Sequence, residues 1–113
     1  MYILFLNADG TVKAERKISS TQGGLTGPLD NDDRFGISVA SLGDLDSDGV
    51  VDLAVGAHLD DDGGSDRGAV YVLFLNADGT VEAEQKISST QGGLVGPLGN
   101  EDNFGSSVSA LGD

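Results

Sequence analysis

The chain has 113 residues, 19 acidic against 6 basic side chains, a formal charge of −13, no cysteine and one histidine. Phosphate binding needs clustered Lys and Arg, so this balance argues against nucleic acid and anionic membranes as partners, and the missing cysteines and lone His58 exclude disulfides, thiolate sites and a histidine-built zinc centre. No apolar run approaches the roughly 18–20 residues of a membrane-spanning helix, which leaves one small domain whose carboxylates are either a solvated surface or are held together by a cation.

The chain opens MYILFLNADG. Secretory leaders can begin this way, but no basic flank is present and the turn-forming NADG follows at once. An internal copy marks the segment as a strand instead. YILFLNADGTV (residues 2–12) returns as YVLFLNADGTV (71–81), KISSTQGGLTGPL (17–29) as KISSTQGGLVGPL (86–98), and RFGISVASLGD (34–44) as NFGSSVSALGD (103–113), always 69 residues on. Residues 2–44 and 71–113 agree at 33 of 43 positions, so both copies are expected to fold alike.

Further along, residues 35–42 form a Gly-punctuated run, and residues 50–57 (VVDLAVGA) a β-rich run that closes at Gly56. Residues 71–75 are a third apolar run, ending at the turn 76–79. Residues 80–87 alternate from Val81, with Val81, Ala83 and Ile87 as one side and a slip near Gln85 that suggests a bulge. No segment holds a 3.6-residue apolar stripe, and eighteen glycines are spread through the chain, so helix is the weaker assignment. The expectation is all-β: about four strands per unit, each unit an antiparallel four-stranded blade of a β-propeller, in about one and two-thirds copies. A blade cannot bury both faces alone and depends on stacking.

Leading from the run 35–42 into the run 50–57 is DLDSDGVVD, residues 44–52, of the form DxDxDGxxD. Asp44, Asp46 and Asp48 fall on one side of a tightly wound loop, Gly49 permits the wrap, Val50 can offer its backbone carbonyl and Asp52 closes the shell. Hard oxygen donors at this spacing suit Ca²⁺, which accepts six to eight ligands in flexible geometry, better than Mg²⁺. The competing account is an acidic surface turn. An EF-hand does not fit: the twelfth position is Val55 rather than Glu, and a strand follows rather than a helix.

The other acidic stretches read as solvated loops: residues 60–66, where a second cation is the less favoured alternative, and DNDD (30–33), which becomes GNED (99–102). His58 reads as a surface or interface residue with no nucleophile arranged beside it. Ser19, Ser20, Ser88 and Ser89 lack a G-x-S-x-G setting. Phe35 and Phe104, each before Gly, read as packing anchors between blades.

Taken in order, Phe35-Gly36, the loop 44–52, DLAVGA and GAVYVLF resemble FG-GAP repeats, the blades of integrin-α-like β-propellers; the Gly-Ala-Pro element stands here as Gly56-Ala57-His58, with its proline replaced. The resemblance implies calcium in hairpin loops on one face of the propeller, an extracellular or cell-surface location, and a non-catalytic part in adhesion or in binding a protein or glycan ligand. It also sets a register. Residues 1–34 would be strands three and four of one blade, residues 35–90 a complete blade with its calcium loop, and residues 91–113 a linker and the first strand of another. Further blades of the same propeller are then the expected partners, the open strand edges invite self-association, and the final LGD (111–113) would open a second loop in a longer array. Two other readings share the acidic loop: a thrombospondin-type-3 or RTX-like calcium-stabilised spacer, which needs denser loops, and an accessory propeller of a secreted hydrolase.

Overall fold

A computed structural model of the chain describes residues 1–27 and 29–112. Among the described residues are six strands: β1 (Tyr2–Leu6), β2 (Val12–Lys17), β3 (Ser38–Gly43), β4 (Asp52–Ala57), β5 (Ala69–Leu75) and β6 (Val81–Ile87). They form two antiparallel sheets, β1-β2 and β3-β4-β5-β6, every strand paired with its sequence neighbour. No helix occurs among the described residues, as the period-two patterning requires.

The hairpins β1–β2 and β5–β6 are built by the same turn. Asn7 N–H donates to the Thr11 carbonyl at 2.8 Å and Asn76 N–H to the Thr80 carbonyl at 2.8 Å, while the Asp9 and Asp78 carboxylates each accept from the threonine two residues on. Gly10 and Gly79 take φ of 87° and 83°, the left-handed conformation that closes the turn at little steric cost. Each hairpin then slips by one residue: Phe5 pairs Ala14 but Leu6 pairs Val12, and Phe74 pairs Ala83 but Leu75 pairs Val81. The bulge therefore lies at Lys13 and Glu82, not near Gln85. Its consequence is that Val81 does not share a side with Ala83 and Ile87. Val81 joins Glu84 and Lys86 on the face of Tyr71 and Leu73, because an extra residue reverses the alternation.

The core lies between the two sheets. Val55, Tyr71 and Leu73 from the four-stranded sheet are fully buried, and Ile18 and Leu25, which follow β2, close over them with Ile3 of β1. Phe35 stands edge-on to Tyr71 with ring centroids 5.3 Å apart, a favoured aromatic geometry. It also packs on the core cluster that joins Ile18 and Leu25 of the preceding unit to Val55 and Tyr71.

Phe104 bridges units too: it pairs in parallel with Gly68, and the Gly105 carbonyl accepts from the Ser38 hydroxyl at 2.8 Å. Past this bridge the described residues 106–112 form no strand, unlike their counterparts in β3. The second LGD ends at Asp113, which lies outside the described residues. Gly56 is where the Phe104 segment comes closest: a Cβ there would collide with the Gly105 carbonyl and the Ser38 hydroxyl. Gly56→Ala is therefore expected to lift residues 104–105 off the sheet, seen as faster hydrogen exchange at the Phe104 amide, which otherwise donates to the Arg67 carbonyl at 2.9 Å.

Candidate metal centre

The loop between β3 and β4 is wound by its own carboxylates. Asp44 accepts from the Asp48 and Gly49 amides at 2.9 and 2.8 Å, and Asp48 accepts from the Val50 amide at 2.8 Å. Ser47 and Gly49 adopt left-handed φ of 67° and 89°, which turns the chain back on itself. One carboxylate oxygen from each of Asp44, Asp46 and Asp48 lies within 4.8 Å of the others, and all three residues are exposed. The Asp46 carboxyl is held above its ordinary range by desolvation and by the fields of Asp48, Asp52 and Asp44. A group of like charges this close favours a cation among them.

Asp52 differs from the other three. It is fully buried, and its two oxygens accept separately from the Leu45 amide at 2.8 Å and the Leu75 amide at 3.1 Å. It thereby ties the start of the loop to the end of β5, across the sheet. The structure brings Asp44, Asp46 and Asp48 together and places Asp52 at the floor of the loop as an acceptor for backbone amides. Val50 is half-buried and packs on the core.

A second acidic constellation is not the solvated turn its composition suggested. Asp60 is 3% exposed and pairs with the Lys86 ammonium at 2.9 Å; Asp62 lies 3.5 Å from the same nitrogen. Asp62 also accepts from Ser88 at 2.6 Å and Thr90 at 2.8 Å, and these hydroxyls, with Lys86, hold its carboxyl below the ordinary range against burial. Burial alone would lower the Lys86 ammonium, but the hydrogen bond to Asp60 and the fields of Tyr71, Asp60 and Asp62 raise it. Asp33, buried nearby, is pushed up by desolvation despite its hydrogen bond from the Asp30 amide. The loop folds inward because β6 carries Lys86 on the bulge-shifted face, a contact 26 residues away with no local sequence signal.

The remaining candidates are structural. Ser88 is buried against Asp62, Ser19 caps Thr21, and His58 is half-buried beside the end of β4.

A family model described as FG-GAP repeat matches residues 35–73. Integrin alpha-5 of Xenopus laevis is 49% identical over 51 residues, which is 45% of this chain and 5% of that protein. Integrin alpha-3 of Mus musculus is 40% identical over 53 residues, 47% of this chain and 5% of that protein. Integrin alpha pat-2 of Caenorhabditis briggsae is 46% identical over 59 residues, 51% of this chain and 5% of that protein. The chain thus spans about a twentieth of the length of these relatives, and no solved structure matches it.

Proposed function

Residues 35–73 of this chain are an FG-GAP repeat, a β-propeller unit, and from that premise we propose that the chain is a calcium-stabilised propeller segment of an extracellular or cell-surface protein that serves adhesion or ligand binding without catalysis. Asp44, Asp46 and Asp48 would hold the ion, with the Val50 carbonyl and Asp52 completing the shell. Each Asp52 oxygen keeps a second lone pair beyond its backbone hydrogen bond, so holding the loop floor and ligating are compatible. A bound calcium would offset the mutual repulsion of the carboxylates and lock the β3–β4 connection.

The observation that carries this reading is the three carboxylate oxygens within 4.8 Å in a loop already wound by internal hydrogen bonds. Oxygen donors and no thiolate or imidazole suit a hard cation. The relatives by sequence are integrin α chains, and the resemblance to their repeats implies the adhesive part. No helix among the described residues is long and apolar enough to cross a membrane.

Calorimetric titration with Ca²⁺ tests the site. Binding with a Kd of order 10⁻⁴–10⁻³ M is expected, the range of extracellular calcium modules, and Asp46→Ala should weaken it at least tenfold. At 100 times Kd the ion should add about 2.7 kcal/mol of stability, read as a rise in melting temperature that a chelator reverses. Full-strength binding by Asp46→Ala would overturn the ligand assignment. Asp52→Ala is expected to lower the melting temperature even in chelator, because it leaves the Leu75 amide without its acceptor.

A further inference from the structure

Aspartate followed by glycine is a reactive pair in its own right: with no side chain on the second residue, its amide nitrogen can reach the aspartate Cγ and close a five-membered ring. The chain holds four such pairs, Asp9-Gly10, Asp48-Gly49, Asp62-Gly63 and Asp78-Gly79. Three of them are tied down by side chains. The Asp9 carboxylate accepts from the Thr11 hydroxyl at 2.6 Å and the Asp78 carboxylate from the Thr80 hydroxyl at 2.6 Å, and these hydroxyls hold both carboxyls below the ordinary range. Asp62 is held by Ser88, Thr90 and Lys86, and a Cβ on Gly63 would collide with the Ser89 hydroxyl.

Asp48 stands apart. Its carboxylate accepts from the Val50 amide at 2.8 Å and from no side chain among the described residues. Asp48 and Gly49 are both exposed, and a Cβ on Gly49 would meet nothing within 4 Å. The nucleophile differs as well. The Gly10 and Gly79 amides donate to backbone carbonyls, of Asn7 at 3.0 Å and of Asn76 at 2.9 Å. The Gly49 amide donates to a carboxylate, that of Asp44, at 2.8 Å. A carboxylate accepts a proton far more readily than an amide carbonyl does. Among the described residues, only this pair joins a base on the attacking nitrogen to an acyl carbon free of side-chain clamps.

We propose that Asp48-Gly49 is a modification site, where the calcium-free loop converts spontaneously to isoaspartate with Asp44 as the base. Asp44 takes the Gly49 amide proton, the nitrogen bonds to Cγ of Asp48 in its acid form, and the Cγ–OH bond breaks, the oxygen leaving as water with that proton. Water then opens the ring. Attack at Cγ restores aspartate; attack at the former main-chain carbonyl of Asp48 leaves the chain running through Cγ. The water released in the first step is returned in the second, so the net reaction is a rearrangement. The product carries an extra methylene in the backbone and a shorter carboxylate arm, in the loop that gathers the oxygens of Asp44, Asp46 and Asp48 within 4.8 Å. Its calcium affinity should fall. Protection by calcium rests on the metal reading above: with Asp44 and Asp48 both engaged as ligands, neither the base nor the acyl group is free. The empty loop ages and the filled loop keeps.

The test is incubation of the full chain in chelator and mildly acid buffer for weeks, followed by tryptic mapping with electron-transfer fragmentation, which tells isoaspartate from aspartate. Asp9 falls in peptide 1–13, Asp48 and Asp62 in 35–67, and Asp78 in 68–86. Isoaspartate is expected at Asp48 at least about tenfold faster than at the other three aspartates, preceded by a species lighter by one water. Asp44→Asn keeps an oxygen for the Gly49 amide but not the base, and should slow the reaction at Asp48 by about the same factor. Asp48→Glu should abolish it, because closure would need a larger ring. Circular dichroism checks that both variants fold. Isoaspartate arising first at another pair, or at none, overturns the proposal, and an unchanged rate in Asp44→Asn removes Asp44 from it. Saturating calcium should suppress the reaction at Asp48 alone. An equal rate in calcium defeats the protection if calorimetry shows the ion bound; if no ion is bound, the metal reading falls and the reactive pair stands.

Discussion

Leu73→Ala is expected to cost about 2–5 kcal/mol of folding stability, and Leu4→Ala, the same substitution 69 residues earlier, less than about 0.5 kcal/mol. Both leucines sit at the same register of the same hairpin, Leu73 opposite Glu84 and Leu4 opposite Glu15. Local propensity, turn chemistry and strand neighbours are matched. What differs is burial: Leu73 is fully enclosed and Leu4 is half exposed. Removing Leu73 loses the transfer free energy of its side chain and leaves a cavity that Tyr71 and Val55 close only in part. Urea unfolding at dilute protein checks this, read as a shift in midpoint at constant slope. Equal costs for the two variants would mean that the sheets do not pack as described.

The second large effect belongs to Lys86. Lys86→Met is expected to destabilise by about 3–5 kcal/mol, because it strands the Asp60 carboxylate in a buried position with its partner gone. Lys17, its repeat counterpart, is exposed and forms no ion pair among the described residues, so Lys17→Met should be near neutral. Combining Lys86→Met with Asp60→Asn should recover much of the loss, which a purely packing role for the lysine would not allow.

The pH dependence follows from the same groups. Lys86 titrates above its ordinary value of 10.5 in the folded protein, so its contribution is complete below that value and is lost as pH rises through the higher folded value. Asp62 titrates below its ordinary value of 3.8, so its contribution is present above that pH and lost as pH falls through the lower folded value. Asp33 has the opposite sign: its raised carboxyl takes up a proton more readily when folded and offsets part of the acid loss. Thermal melting between pH 9 and 12 should show an alkaline decline in the wild type that Lys86→Met reduces.

Much of this architecture was legible in advance. The apolar runs, the NADGT turns and the 69-residue repeat locate the strands, and DxDxDG locates the loop that gathers Asp44, Asp46 and Asp48. The misses have physical reasons. The bulge at Glu82 follows from the turn closing one residue early, which no alternation pattern near Gln85 could reveal. Asp60 is buried by a lysine 26 residues away, and a run of aspartates looks the same whether solvated or paired. The second role of Asp52, accepting from the Leu75 amide, has no sequence signal, because Leu75 comes from a strand that only the sheet topology brings near. The contrast between Tyr2 and Tyr71 is beyond any sequence signal, since near-identical residues differ only in what lies on top of them.

The two hairpins also bear on the order in which the chain folds. β2 is exposed along all six residues, while β5 beside β6 is buried at five of its seven positions. Yet both hairpins keep the same pairing, the same one-residue slip and the same Asn–Thr clasp. A geometry indifferent to whether a core has formed around it is encoded in the hairpin's own residues, 2–17 and 69–87. Closing it takes microseconds and a short loop. The joining of Leu25, Ile18 and Tyr71 spans up to 52 residues of intervening chain and carries the larger closure entropy. Folding on this view begins twice, at Asp9 and at Asp78, and the slow event is the docking of two ready-made hairpins.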